Sequence, residues 1–592
     1  MKNNESKKAV DRKLIRRLYF FIKPYRWFVV LAIVLTLSAS FLGTIRPKLI
    51  QVAVDDYIAV NDNSGLLNII LLLVLALIGE FILLVINTYL TRWFGQGTLY
   101  ALRNAVYKKI QNLHVQFFDK TPIGRLITRT TSDVEALSEL LSDGVVAMIG
   151  DLFRIFFILF FMFSMSWELT LVTISVLPFL FYATFWFKNK VRISFLEVRD
   201  QIARLNSFVQ EHISGMDVVQ LFNREKKQTE KFKKINKAHK EAHLKTIFYF
   251  SIFWPIVEVT ASFAMALIVW YGGGRALSGA VTFGVLVAFI QYARQFFAPI
   301  QGISEKFNTL QSALASSERI FDLLDVESEV VEMENPQVIE NPTGKIEFEN
   351  VWFRYNSTSE YILKDVSFKA ESGESIAIVG ATGAGKTTII NLLLRFYDIE
   401  KGSIKIDGID IRDLSLKDLR SNFGLVLQDN ALFSGTVHDN ITLNNRDITR
   451  DQVIQAAEEV EAHRFIENLP GSYDYVLRER GASLSMGQRQ LICFVRALVY
   501  NPHILILDEA TSSVDSETEA LVTAASDKMM QGRTSIVVAH RLSTIQGADR
   551  ILVMHKGEIR ESGSHQELIK HEQGLYKKLY ELQYKEQLTA KA

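Results

Sequence analysis

Residues 380–388 read Gly-Ala-Thr-Gly-Ala-Gly-Lys-Thr-Thr, a glycine-rich turn that ends in a lysine and two hydroxyls. Gly380, Gly383 and Gly385 let the backbone curl so that its N–H groups, those of Ala381, Thr382 and Ala384 among them, can point inward at phosphate oxygens. Lys386 can reach the outer phosphates, Thr387 can offer its hydroxyl to Mg²⁺, and Thr388 closes the run. The apolar stretch Ser375–Val379 before the turn reads as a buried strand, and Ile389–Leu394 after it as a helix. Strand, glycine loop and helix in that order are the context this motif requires. The segment is therefore read as binding a nucleoside triphosphate.

Further residues fall into line behind it. Ile504–Leu507 reads as a buried strand ending in Asp508 and Glu509. Asp508 suits Mg²⁺, which takes hard oxygen ligands and keeps several waters. Glu509 faces the other way and could polarise an attacking water. Tyr355 in Phe353-Arg354-Tyr355 suits a ring stacked on adenine, and Gln428 in Leu427-Gln428-Asp429 could contact Mg²⁺ or the water. Leu484-Ser485-Met486-Gly487-Gln488 opens a helix preceded by Glu479-Arg480-Gly481, and Asp515 follows in Ser512-Ser513-Val514-Asp515. His540 comes straight after the strand-like Ser535–Val538. A strand ending in acids, or a histidine after a strand, is by itself most often packing or capping. In this order they read as one site.

The elements that must position these groups occupy the second part of a 592-residue chain, too long for one domain. Near-neutral net charge (+1) argues against nucleic-acid binding, and the single cysteine, Cys493, rules out an intrachain disulfide or a multi-cysteine metal site. Phenylalanine is abundant, at 40 residues, and concentrated before residue 320, which points to membrane. No cleavable signal peptide is apparent. Six apolar segments, at about 27–46, 66–90, 141–165, 168–187, 246–271 and 281–303, each approach the length that crosses a bilayer of about 30 Å. Lysine and arginine crowd the N-terminal arm and the long loops 91–140 and 188–245, while Asp55, Asp56 and Asp62 mark the first outer loop. Positive residues inside then place the N-terminus in the cytoplasm. Residues 11–22 read as an amphipathic surface helix ending at Pro24. The long inner loops keep helical spacing over Arg103–Leu113 and Glu197–Phe222, so they extend the membrane helices into water. Residues 326–343, acidic and proline-containing, read as a linker between a membrane domain at 1–325 and an α/β domain at 344–592.

The order Tyr355, glycine turn, Gln428, Ser485 segment, Asp508-Glu509, Asp515, His540 resembles the ATPase domain of an ATP-binding cassette (ABC) transporter. The first half is similar to the six-helix membrane domain of cassette exporters, through Phe117-Phe118-Asp119 with Gly124-Arg125-Leu126, Asp133-Val134, Gly215–Glu225 and Ala315-Ser316-Ser317-Glu318-Arg319. The resemblance covers nearly the whole chain. The fold it implies is an α-helical membrane domain of six transmembrane helices with long cytoplasmic extensions, fused to an α/β P-loop ATPase domain. It implies ATP and Mg²⁺ as ligands, with Thr387, Gln428 and Asp508 at the metal. Tyr355 and residues 380–388 would hold one subunit's nucleotide, Ser485, Gly487 and Gln488 of the signature would complete the site of the other subunit, and Asp515 would also bind nucleotide. Catalysis would rest on Glu509, His540 and Gln428. The segments near Phe118–Pro122 and Gly215–Phe222 would couple the ATPase to the membrane. The implied activity is ATP-driven export of an amphipathic or lipid-like substrate from the inner membrane, among membrane lipids and without nucleic acid. A gated channel or regulator would be expected to lose Glu509 or His540, and both are present.

One chain supplies one ATPase domain, so the resemblance implies a dimer of half-transporters. The family's usual signature has two glycines, and here Met486 stands at the first. Methionine restricts both backbone dihedrals and close approach to phosphate. This favours a heterodimer with unequal sites, in which this chain's Glu509 and His540 serve the competent one; a homodimer is the alternative. Within the spans, Glu80, Asp151, Arg154, Glu258, Arg294 and Gln295 are the polar suspects, and Asp151 and Arg154 could pair along one helix face.

Overall fold

The computed structural model describes residues 14, 16–140, 144–328, 330–428, 430–508, 516–538 and 542–582. It divides into two compact units, Met1–Gln111 with Ile123–Val326, and Asn112–Pro122 with Glu327–Ala592.

The first unit is helical. Helices Arg16–Ile58, Asn63–Gln111, Val145–Met165, Trp167–Ser214 and Glu225–Leu277 are long and apolar enough to cross a membrane. A sixth apolar stretch, Phe283–Phe297, is shorter and opens a helix running to Leu324. Among the described residues five helices meet that length and composition, and the sixth expected segment, 281–303, falls on the opening of the Phe283–Leu324 helix. Helices α1 (Arg26–Val52) and α2 (Asn63–Gln111) differ in what they bury. On α1 the small residues Ala32, Thr36, Ala39 and Gly43 are buried, a stripe that lets a neighbouring backbone approach closely. On α2 Leu71, Leu75 and Phe81 are all more than half exposed, as suits side chains that face lipid. Several buried hydroxyls are satisfied on their own helix, as where Thr36 Oγ1 donates to Ala32 O at 2.7 Å.

Local sequence sets the helix boundaries. Ser166 breaks the run after Met165 with extended backbone, and its side chain caps the next helix at the Leu169 N–H. The α-helix that holds Arg16–Ile22 gives way at Pro24 to a short 3₁₀ turn, Lys23–Tyr25, and α1 begins at Arg26; proline is tolerated in such a first turn. The amphipathic helix before it packs on the protein. Leu14 and Leu18 are buried, Arg17 clasps Asp325 through two hydrogen bonds of 2.5 and 2.6 Å, and its guanidinium lies 4.3 Å from the Phe321 ring centre.

Two of the membrane-embedded acids are paired, as the cost of burying them demands. Glu80 meets Arg46 at 2.9 Å. Asp151 takes Lys306 rather than Arg154, so the pairing expected along one helix gives way to one between helices. On the extensions, Asp133 of Ser132–Glu139 accepts Ser316 Oγ at 3.0 Å and the Arg319 guanidinium at 2.5–3.2 Å, tying the matching Asp133 and Ser316–Arg319 motifs together.

The second unit begins with the short helix α3 (Val115–Lys120) and is otherwise a mixed α/β domain. Strands β1 (Ile346–Phe353), β2 (Leu363–Ala370), β4 (Lys401–Ile406) and β5 (Ile409–Asp410) form an antiparallel sheet ordered β2-β1-β4-β5. A six-stranded sheet carries the site. It contains β3 (Ser375–Gly380), β6 (Phe423–Val426), β7 (Ile504–Asp508), β8 (Thr534–Val538), β9 (Arg550–His555) and β10 (Glu558–Gly563), in the order β10-β9-β3-β8-β7-β6. Its central strands β3, β7, β8 and β9 are buried on both faces and paired in parallel, as their unbroken apolar runs dictate. Two apolar clusters flank the sheet, one around Ile376, Ile389 and Phe353, the other around Leu505, Phe494 and Tyr473.

Candidate functional site

The sheet's register brings the predicted groups to one edge. Ile378 of β3 pairs with Val538 of β8, and Val538 pairs with Asp508 of β7. Asp508 therefore stands at the same strand ends as Gly380, two strands away. Beyond β7, Val426 of β6 pairs with Leu507, so Gln428, exposed two residues further on, leaves the sheet at that edge too. Ligands of open parallel sheets bind beyond such carboxyl ends.

The glycine turn runs from β3 into helix α4 (Lys386–Leu393). Gly385 caps that helix in the left-handed region, with φ +106°, and a Cβ there would lie 2.7 Å from Leu363 Cδ2. The turn exposes Ala381, Thr382, Gly383 and Thr387, while Ala384 and Thr388 are buried. Lys386 folds back over the turn. Its Nζ donates to Gly380 O at 2.7 Å and to Ala381 O at 3.3 Å, and only 8% of the residue is exposed. Burial lowers the ammonium's pKa, and the Asp508 carboxylate opposes that shift. A cation already desolvated beside helix-terminal N–H groups is prepared to exchange two carbonyls for phosphate oxygens.

Tyr355 follows β1, and its hydroxyl lies 3.2 Å from Thr388 Oγ1 and 3.4 Å from Asn391 Nδ2, both on α4. The ring is thus tied to the helix that the glycine turn begins. Ser485 caps helix α5 (Met486–Val499) in a reciprocal box: its Oγ accepts the Gln488 N–H at 3.2 Å, and Gln488 Oε1 accepts the Ser485 N–H at 3.0 Å. Gln488 therefore shapes the helix end, a role its three-residue spacing from Ser485 signals. Met486 is the first residue of this helix, with no positive φ and 40% exposed. The dihedral objection to methionine does not apply here; only its bulk remains. Gly487 is buried behind it. Glu509, Asp515 and His540 lie outside the described residues.

Three residues at this site escaped the sequence reading. Tyr397 is nearly buried, its ring meets Tyr355 edge to face at 4.9 Å, and its hydroxyl donates to the Asp119 carboxylate of α3. Asn391 holds the Tyr355 hydroxyl, and Gln116 of α3 reaches the Tyr355 carbonyl at 3.4 Å. An aromatic just past the end of a phosphate-turn helix was the available signal for Tyr397.

Residues 29–300 match the ABC transporter transmembrane region, and residues 363–512 match the ABC transporter family itself. The chain belongs to the ABC transporter family. An uncharacterized ABC transporter ATP-binding protein of Bacillus subtilis, YfiC, is 37% identical over 587 residues, covering 98% of this chain and 95% of that protein. An ATP-dependent lipid A-core flippase of Syntrophus aciditrophicus is 36% identical over 574 residues, covering 97% and 95% respectively. A Staphylococcus aureus protein named for multidrug export is 35% identical over 580 residues, 96% of this chain and all of that one. This ABC transporter is accordingly a multi-pass membrane protein and a transport ATPase, with both regions on one polypeptide.

Proposed function

We propose that this chain is one half of a dimeric exporter that moves an amphipathic or lipid-like molecule across the cytoplasmic membrane, driven by ATP. The observation that carries the reading is the gathering of Gly380–Thr388, Lys386, Gln428 and Asp508 at one sheet edge, in a chain that also holds the membrane helices. The flippase and multidrug names of the relatives support the class of cargo.

In this reading adenine stacks on Tyr355 and the phosphates lie along residues 380–388. Thr387, Gln428 and Asp508 offer a hydroxyl, an amide carbonyl and a carboxylate, a hard-oxygen donor set that fits Mg²⁺. Bound there, Mg²⁺ would neutralise charge building on the phosphate oxygens. Glu509 orients a water and takes its proton as the water oxygen bonds to the γ-phosphorus, the bond to the β-phosphate oxygen breaks, and ADP departs. His540 contacts the γ-phosphate. Ser485, Gly487, Gln488 and Asp515 serve the shared interface, and closure of two ATPase units turns the cavity outward. The domain limits 1–325, 326–343 and 344–592 and a cytoplasmic ATPase belong to the same proposal.

The case for an unequal partner rested on Met486. With its dihedrals ordinary, only bulk argues against self-pairing, and a homodimer becomes the better supported assembly. The test is ATP-dependent accumulation of a fluorescent phospholipid or amphipathic dye in inverted vesicles carrying this chain alone. Accumulation that Glu509→Gln abolishes supports the proposal; ATP hydrolysis with no movement of either probe overturns the cargo class. Met486→Gly leaving turnover unchanged is the result expected of a homodimer that tolerates the methionine.

A further inference from the structure

Asn112–Pro122 lies in sequence between two membrane helices but groups with the ATPase unit. Within that unit Asp119 of helix α3 accepts the Tyr397 hydroxyl, and Gln116 Nε2 donates to the main-chain oxygen of Tyr355. Tyr397 is 5% exposed, and its ring meets Tyr355 at 4.9 Å and 85° and Phe353 at 5.7 Å. Burial pushes the Tyr397 phenol well above its ordinary value, and the Asp119 carboxylate pushes the same way, so the hydroxyl remains a donor at neutral pH. A cavity of about 490 Å³ opens beside these rings, with Gln116, Lys120, Tyr355, Thr358 and Tyr397 in its wall.

We propose that Tyr397 is a positioning residue that passes occupancy of the nucleotide-base site, through its hydroxyl, to helix α3. The inference rests on the reading of Tyr355 as the base platform. A base seated on the Tyr355 ring fixes that ring, and Tyr397 packs against it edge to face at aromatic contact distance. From there one hydrogen bond reaches Asp119. Helix α3 has six residues, too few to persist without tertiary contacts, so its order reports whether those contacts are held. The base, rather than the phosphates alone, would then order the segment that joins Gln111 to Ile123.

The test is amide hydrogen exchange over residues 112–122 of the full chain in lipid, with Glu509→Gln present throughout to prevent turnover. ATP is expected to slow exchange there about fivefold or more, and inorganic tripolyphosphate, which lacks a base, to leave it unchanged. Tyr397→Phe keeps the ring and should abolish the slowing while the Kd for ATP stays within about twofold. Asp119→Asn, which still offers an oxygen acceptor, should retain most of it. Equal slowing by tripolyphosphate, or full slowing in Tyr397→Phe, overturns the relay. Tyr355→Ala separates the two readings. Unchanged ATP affinity in that variant overturns the base platform and the relay together, whereas weakened affinity with full slowing in Tyr397→Phe overturns the relay alone.

Discussion

Gly383 and Gly385 share one turn and one backbone region, yet alanine should affect them unequally. Their φ values are +81° and +106°. A left-handed conformation costs a residue with a Cβ about 1–2 kcal/mol at either position. At Gly383 nothing lies within 4 Å of a Cβ. At Gly385 the same atom would meet Leu363 Cδ2 at 2.7 Å, with Ile362 O at 3.3 Å. Leu363 is fully buried in β2, so its side chain has no open space to move into, and overpacking of this kind adds about 1–3 kcal/mol. Gly385→Ala should therefore cost about 2–5 kcal/mol and Gly383→Ala about 1–2. For a domain of this size that corresponds to losses of roughly 4–20 °C and 2–8 °C in Tm. The assay is thermal unfolding of the full chain in lipid nanodiscs without nucleotide, following the ATPase unit. Equal losses in the two variants, or a greater loss at Gly383, would refute the packing argument.

Two other expectations concern charge. Lys386→Met should lower ATP affinity at least about 100-fold in equilibrium binding, since the desolvated ammonium is the turn's only cation. In the wild-type chain burial depresses that ammonium's pKa and phosphate would restore it, so ATP affinity should fall as pH rises through the depressed value; a flat profile there would contradict the assignment. At Asp133, burial pushes the carboxyl up, but the Arg319 and Ser316 hydrogen bonds outweigh it and hold the group below the ordinary carboxylate range. The stability this gives is complete above that range and is lost as pH falls through the native value. The gap in Tm between wild type and Asp133→Asn should accordingly hold steady from neutral pH and shrink below about pH 4; a gap that widens on acidification would contradict it.

Local features were the legible ones. The glycine turn announced its strand and helix because the flanking apolar runs differ in length and composition, and β3 and α4 lie where those runs stand. Helical extension of the inner loops followed from their spacing, and Asn63–Gln111 and Leu177–Ser214 run well past any membrane. Pairings between elements were not legible. Asp151 finds Lys306 across 155 positions, and nothing near either residue distinguishes that partner from Arg154 three residues away. The link from Tyr397 to Asp119 spans 278 positions and depends on how a short helix seats in the ATPase unit. Met486 shows the converse case, a departure from a family pattern whose conformational cost vanished because the helix begins there.

The most direct test of the account is ATP turnover by this chain, purified alone and reconstituted in lipid, against the Glu509→Gln variant. The account predicts steady turnover from a dimer of this chain and its loss in Glu509→Gln, with ATP still bound. Robust hydrolysis in Glu509→Gln would contradict the catalytic assignment, and a folded wild-type chain that binds ATP without hydrolysing it would contradict self-pairing and point to a second, different half-transporter.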